Sequence, residues 1–228
     1  MKAIILDTET HTMNGYPIEI AYAPCFFKEG ALEFDSSRLF DEYFSCPEPI
    51  AYGAMSVHHI LESDIADKPG YDTFKLPEGV DYIIGHNIGY DIETIGKCGP
   101  VPGDIKTICT LALARTVWPE NDSRTLSALF YFLSADKNKA RDLLRNAHSA
   151  KYDIWFTYII LKNICSKLGI KDMNSLYVLS EQARIPKVMP FGKHKGVELN
   201  KVPKDYVKWF LGQDNIDSYL RKALEAVA

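Results

Sequence analysis

Two carboxylates, Asp7 and Glu9, stand one residue apart directly after the apolar run Ala3-Ile4-Ile5-Leu6. In an extended chain residues two apart point to the same side, so this pair presents its oxygens together. Like charges that close repel unless a cation lies between them, and hard divalent cations take such oxygen ligands. A second group, His86-Asn87-Ile88-Gly89-Tyr90-Asp91, follows the apolar Tyr82-Ile83-Ile84. The step of four from Asn87 to Asp91 places both on one face of an expected helix. In the third group, His148-Ser149-Ala150-Lys151-Tyr152-Asp153, a helix is expected to carry Asp153. Five helical steps would leave His148 and Asp153 about 140° apart, so His148 is expected on the turn before that helix. A histidine of near-neutral pKa beside fixed carboxylates suits a general base. Each group also has a plain structural reading: a solvated strand end, an N-cap with a first-turn acid, and a helix start with a surface histidine.

The elements that must position these residues are a buried strand over Ala3–Leu6 ending in Asp7-Thr8-Glu9-Thr10, and a turn at Asn14-Gly15. Ile18–Tyr22 alternates like a strand half exposed to solvent, Ala31–Phe34 can pair with it, and Leu39–Phe44 reads as a further edge. A helix is expected near Ser56–Leu61 and a strand over Tyr82–Ile84. Beyond a short helix after Asn87, the pattern is helical over Thr107–Thr116, Leu126–Leu133 and about Tyr152–Leu168. Strands first and helices later indicate an α/β or α+β layer fold. After Pro186 and Pro190 come a Gly-Lys-His-Lys-Gly turn and an amphipathic stretch over Asp205–Ala226, whose Tyr206, Trp209 and Phe210 are expected to pack on a core. The expected division is 1–175 and 176–228.

The 228 residues suffice for one sizeable domain and a small appendix. Charged residues at 25% and hydrophobic ones at 46% are ordinary for a folded soluble chain. No signal peptide or membrane-spanning run is read, and five dispersed cysteines without a CxxC pair fit a reduced, cytoplasmic setting. Net charge is -4, but residues 184–228 carry nine Lys+Arg against five Asp+Glu, whereas residues 1–183 carry 17 against 25. An acidic body can act on a polyanion if cations cover its carboxylates and a basic element lies alongside, so net charge does not exclude a nucleic-acid substrate.

Taken together, Asp7-x-Glu9, Asn87-x-x-x-Asp91 and His148-x-Ala150-x-x-Asp153-x-x-x-Thr157 resemble the pattern of the DnaQ-like exonucleases of the DEDDh group. Ser149 stands where the sister type has tyrosine. Gly53-Ala54-Met55-Ser56-Val57-His58-His59-Ile60 is similar to the AxxVHxI segment of these enzymes, and Leu113-Ala114-Arg115-x-x-Trp118-Pro119 extends the likeness. The closing Phe191-Gly192-Lys193-His194-Lys195-Gly196, with Asp205, Tyr206 and Trp209 after it, is similar to the tail of the exodeoxyribonuclease X branch. The segment His11–Gly15 departs from relatives that have a glycine soon after the DxE pair.

This resemblance implies a ribonuclease H-like fold, a mixed central sheet flanked by helices, with a small basic C-terminal appendix that could contact DNA. It implies two Mg²⁺ ions, replaceable by Mn²⁺, on Asp7, Glu9, Asp91 and Asp153, with His148 as general base. The partner implied is the 3' end of single-stranded or duplex DNA. Thr8, Thr10, Met13, Val57, His58 and Asn87 are expected near the terminal nucleotide, and Lys193 and Lys195 near phosphates. His11, His59 and His86 are alternative local bases, His86 first among them. RNA is the alternative substrate, as in ribonuclease T and oligoribonuclease relatives, and a non-catalytic binding partner with the same fold is the alternative class. No membrane partner is expected, and protein partners stay open.

Overall fold

The computed structural model describes residues 2–228. Its strands are β1 (Ala3–Thr10), β2 (Pro17–Lys28), β3 (Ala31–Phe34), β4 (Phe40–Tyr43), β5 (Tyr82–Gly85) and β6 (Lys106–Cys109). Its helices are α1 (Tyr52–His58), α2 (Glu62–Ile65), α3 (Gly89–Ile95), α4 (Thr110–Val117), α5 (Leu126–Leu133), α6 (Lys137–Leu143), α7 (Ala150–Leu168), α8 (Met173–Arg184), α9 (Lys204–Leu211) and α10 (Ser218–Glu225). The backbone packs as two units, the first ending at Ser180 and the second spanning Glu181–Ala228. Among the described residues no helix is long and apolar enough to cross a membrane.

The first unit is a mixed sheet in the order β3-β2-β1-β5-β6, with β4 sharing the outer edge of β2 with β3. β1 runs antiparallel to β2 and parallel to β5, and β5 runs parallel to β6. Successive residues Ala3 to Leu6 are all buried, as expected for a central strand covered on both faces. α7 packs on β1 and β2, and its Ile154, Ile160 and Leu161 are fully buried, while Phe156 packs with Phe130 of α5 and Ala140 of α6. These parts form the ribonuclease H-like layered fold.

β1 continues through Thr10, so Asp7 and Glu9 lie in its last residues, extended and paired to β2 as expected. Three local expectations change. β2 is not half exposed. Ile18 packs with Ile50, Ile60 and Ile65, and Glu19 on the alternate side is equally buried, because both faces are covered. Lys106–Cys109 is a strand, since its Thr-Ile-Cys pairs with the edge β5 leaves open before the helix begins at Thr110. The helix expected at Ser56–Leu61 instead occupies Tyr52–His58 and stops where His59 turns to φ 59°.

The second unit has its own apolar cluster, which includes Met189, Leu199, Val207, Phe210, Leu220 and Leu224. The amphipathic stretch over Asp205–Ala226 forms two helices. Gly212 ends α9, and Asp217 caps α10 by accepting from the Leu220 amide.

Candidate active site

β5 pairs only with residues 3–5 of β1, so the second half of β1 runs past the end of its parallel neighbour. Gly85 sits at that point. A side chain there would start 3.0 Å from the Leu6 carbonyl and 2.6 Å from the tip of Ile88, so glycine gives the chain room to pass β1. Beyond Gly85 the chain turns through Asn87 at φ 69° into α3, which brings Asp91 beside β1. Asn87 therefore lies outside the helix, and it shares no helical face with Asp91.

Asp91 is buried and its Oδ1 accepts a hydrogen bond from the Thr8 hydroxyl at 2.9 Å. The neighbouring Thr10 hydroxyl bonds the Tyr90 hydroxyl at 2.5 Å. Both threonines are buried, so their hydroxyls brace α3 against β1. On α7, Asp153 is buried, and its Oδ1 accepts from the backbone amide of His148 at 3.4 Å. His148 itself is exposed, at φ 65° on the turn before the helix. Ligand atoms of Glu9, His148 and Asp153 all lie within 4.8 Å of one another.

The carboxylates are crowded enough to resist ionisation. Burial, then the charges of Asp91, Asp153, Glu9 and Glu19, push Asp7 well above the usual carboxylate range. Burial, then the charges of Asp153, Glu19 and Asp91, raise Glu9 to about 9, while burial raises Asp91 and Asp153 each to about 7. Every group here is an oxygen donor except one imidazole, and a cation would relieve each of these repulsions. The donor set therefore fits hard divalent ions, and a perturbed cluster of this kind marks a functional site.

Among the alternative bases, His86 donates from Nε2 to the Arg124 carbonyl and pairs through Nδ1 with Thr110 Oγ1, each at 2.9 Å. Burial pushes it down to about 4. It is a structural residue. His11 is buried between the Tyr16 amide and Glu48. His59 stays exposed, and the pKa of His148 is lowered first by partial desolvation of its ring under neighbouring atoms and then by His59. Met13 and Val57 are 78% and 43% exposed, so neither is a core residue. His58 is buried and its Nδ1 accepts from the Ile60 amide at 3.0 Å. Lys193 and Lys195 belong to the second unit.

With this arrangement in view, the chain is 27% identical over 218 residues to exodeoxyribonuclease 10 of Escherichia coli strain K12, covering 94% of this chain and 91% of that protein. A solved structure of exonuclease X in complex with 5' overhanging duplex DNA superposes with a TM-score of 0.60 at 26% identity, over 78% of this chain and 99% of that one. The chain is a relative of the DnaQ-like 3'→5' exonucleases. The DNA polymerase III epsilon subunit of Pasteurella multocida is 30% identical over 168 residues, 67% of this chain and 63% of that protein. Residues 179–227 match a family described as "Putative quorum-sensing-regulated virulence factor".

One further residue of this acidic cluster gives no signal in the sequence. Glu19 lies directly opposite Glu9 in the β1–β2 ladder and is buried. It accepts from the Ser149 hydroxyl at 3.0 Å and the Ala150 amide at 3.1 Å, where α7 begins without a capping side chain of its own. Burial, with the charge of Asp41, raises Glu19 to about 7 despite these donors. A polar residue in an alternating strand reads as solvent-facing, so only the burial of both sheet faces reveals it.

Proposed function

We propose that the chain is a divalent-metal-dependent 3'→5' exodeoxyribonuclease that releases nucleoside 5'-monophosphates from DNA 3' ends. The observation carrying this reading is the convergence of Asp7, Glu9, Asp91 and Asp153 at the free end of β1, with His148 on the adjoining turn. Asp7 would be shared between two Mg²⁺ ions, Glu9 and Asp153 would hold one and Asp91 the other, with Mn²⁺ as a substitute. Bound there, the two cations supply Lewis acidity at both the attacking and the leaving oxygen of an in-line displacement.

The chain's own residues supply the rest. His148 takes the proton of the attacking water. Its depressed pKa keeps the ring neutral and able to accept near pH 7, and its exposed turn lets the ring approach when substrate is present. Thr8 and Thr10 hold α3 in register, so Asp91 keeps its orientation. Asn87, Val57 and Met13 stand exposed and would meet the terminal nucleotide, and the buried His58 would line the same pocket. Lys193 and Lys195 would meet phosphates of the strand, with 1–175 as the nuclease domain and 176–228 as an accessory element. DNA is favoured over RNA by the exodeoxyribonuclease and DNA-complex relatives. Five unbridged cysteines fit a cytoplasmic enzyme.

The test uses 3'-labelled and 5'-labelled oligonucleotides of matched DNA and RNA sequence, with Mg²⁺ and then with EDTA. Mononucleotide release from the 3' label, on DNA and only with the metal, is the expected result. Release of the 5' label first, faster cleavage of RNA, or activity in EDTA would each contradict the reading.

A further inference from the structure

The second unit leaves two large aromatic rings in solvent, Trp209 at 57% and Phe191 at 52% exposure. α9 turns Val207 and Phe210 into its core, and Trp209 falls on the other side. An exposed indole adds little to folding, because the area it could remove from water stays wet. The rings are nevertheless held in place. Trp209 contacts Tyr206 and Phe210 at centroid distances of 5.4 and 5.7 Å, and Phe191 contacts Phe210 at 5.7 Å. Tyr206 and Phe210 are themselves anchored in the small apolar cluster.

A basic turn is locked against the same rings. The Gly196 amide donates to the Met189 carbonyl at 2.8 Å and the Met189 amide to the Val197 carbonyl at 2.9 Å. Gly192, at φ 78°, passes so close to Tyr206 that a side chain would start 2.9 Å from its hydroxyl, and His194 packs edge-on against that ring. Lys193 and Lys195 project from this turn, and Lys208 adjoins Trp209 on α9. Among the described residues none of these three ammonium groups has a carboxylate within 4.0 Å, whereas Lys201 is paired with Glu198 at 3.0 Å.

Flat, exposed rings fixed beside unpaired cations meet the two demands of an unpaired nucleic-acid strand: stacking faces for bases, and positive charge for phosphates. In a duplex the base faces are already stacked. A protein interface would be depleted of lysine at its centre. We propose that this face of the C-terminal unit binds single-stranded DNA, with Trp209 and Phe191 stacking on bases and Lys193, Lys195 and Lys208 meeting phosphates. This rests on the nuclease reading above and narrows its substrate to strands with an unpaired segment.

The test is binding of the full-length protein in EDTA to an oligothymidylate of about 16 nucleotides. A duplex of equal length and an abasic deoxyribose-phosphate oligomer of equal charge serve as comparisons, with anisotropy and tryptophan emission as readouts. Trp209→Ala should weaken oligothymidylate binding about 5- to 100-fold, remove the emission quench and leave the abasic oligomer bound as before. Trp209→Phe, which keeps a ring, should restore most of the affinity. Lys193→Ala with Lys195→Ala should weaken both oligomers and lower the slope of log K against log salt by roughly 0.7 per lost contact. Unchanged oligothymidylate binding in Trp209→Ala, an equal loss on all three ligands, or tighter wild-type binding to the duplex would overturn the proposal. Dinucleotide hydrolysis by the wild type in Mg²⁺ is measured separately. A protein that stacks the oligomer but never cuts refutes the nuclease reading alone, and one that cuts but does not stack refutes this proposal alone.

Discussion

The carboxylate of Glu19 on β2 caps Ala150, the first residue of α7, with Oε2 3.1 Å from the amide nitrogen. A negative group at a helix N-terminus satisfies an otherwise unpaired amide and favours the helix dipole. Here it also ties the strand opposite Glu9 to the turn that carries His148 and to the first turns of the helix that carries Asp153. Glu19→Gln should keep the fold, lower turnover about 10- to 100-fold and change KM little, since small displacements at a reacting centre have effects of that size. Glu19→Ala should in addition cost about 1–3 kcal/mol for the stranded amide. Steady-state kinetics and thermal melts check this, and wild-type turnover in Glu19→Gln would reject the positioning role.

Removing the base should separate chemistry from metal binding. His148→Ala is expected to lower turnover roughly 100-fold or more with cation affinity little changed. Asp7→Ala should be at least as damaging and should also weaken cation binding. Because both ring nitrogens of His86 are occupied, any residual base activity should come from the exposed His59, and the double variant with His59→Ala shows whether it does.

The crowded carboxylates make the metal-free protein sensitive to pH. Their folded pKa values, about 9 for Glu9 and about 7 for Asp91 and Asp153, lie above their unfolded values of about 4. That contribution to stability is complete below about pH 4 and is lost as pH rises through 7 and then 9. Melting temperature in EDTA should therefore fall from pH 5 to pH 9, and Mg²⁺ should restore more of it at pH 9 than at pH 6, with protons released on binding. Asp7→Asn should raise the EDTA melting temperature at pH 8 and abolish the rise caused by Mg²⁺. Identical melts across this range would contradict the assigned repulsion.

Met13 and Val57 are exposed enough that their truncation leaves no cavity. Met13→Ala and Val57→Ala should each raise KM several-fold with the melting temperature nearly unchanged. A lowered melting temperature with normal KM would make them structural instead.

Asp7, Glu9, Asp91, His148 and Asp153 could be picked out from the sequence because carboxylates at strand ends, and a histidine before a helix, keep their spacing however the chain packs. The helix over Leu126–Leu133 and the α7 segment were legible for a related reason: their apolar residues are dense and recur at helical spacing. Packing decided the rest. Glu19 looks solvent-facing in an alternating strand and becomes a buried anchor only because helices cover both faces of the sheet. His86 looks like a base until Thr110 and Arg124 close on both its nitrogens. Trp209 looks like core in an amphipathic pattern, yet α9 gives its inner face to Val207 and Phe210. Local spacing determines which groups can act, but whether a polar or aromatic side chain meets water, a partner or a substrate is settled by neighbours far away in the chain, which no local pattern records.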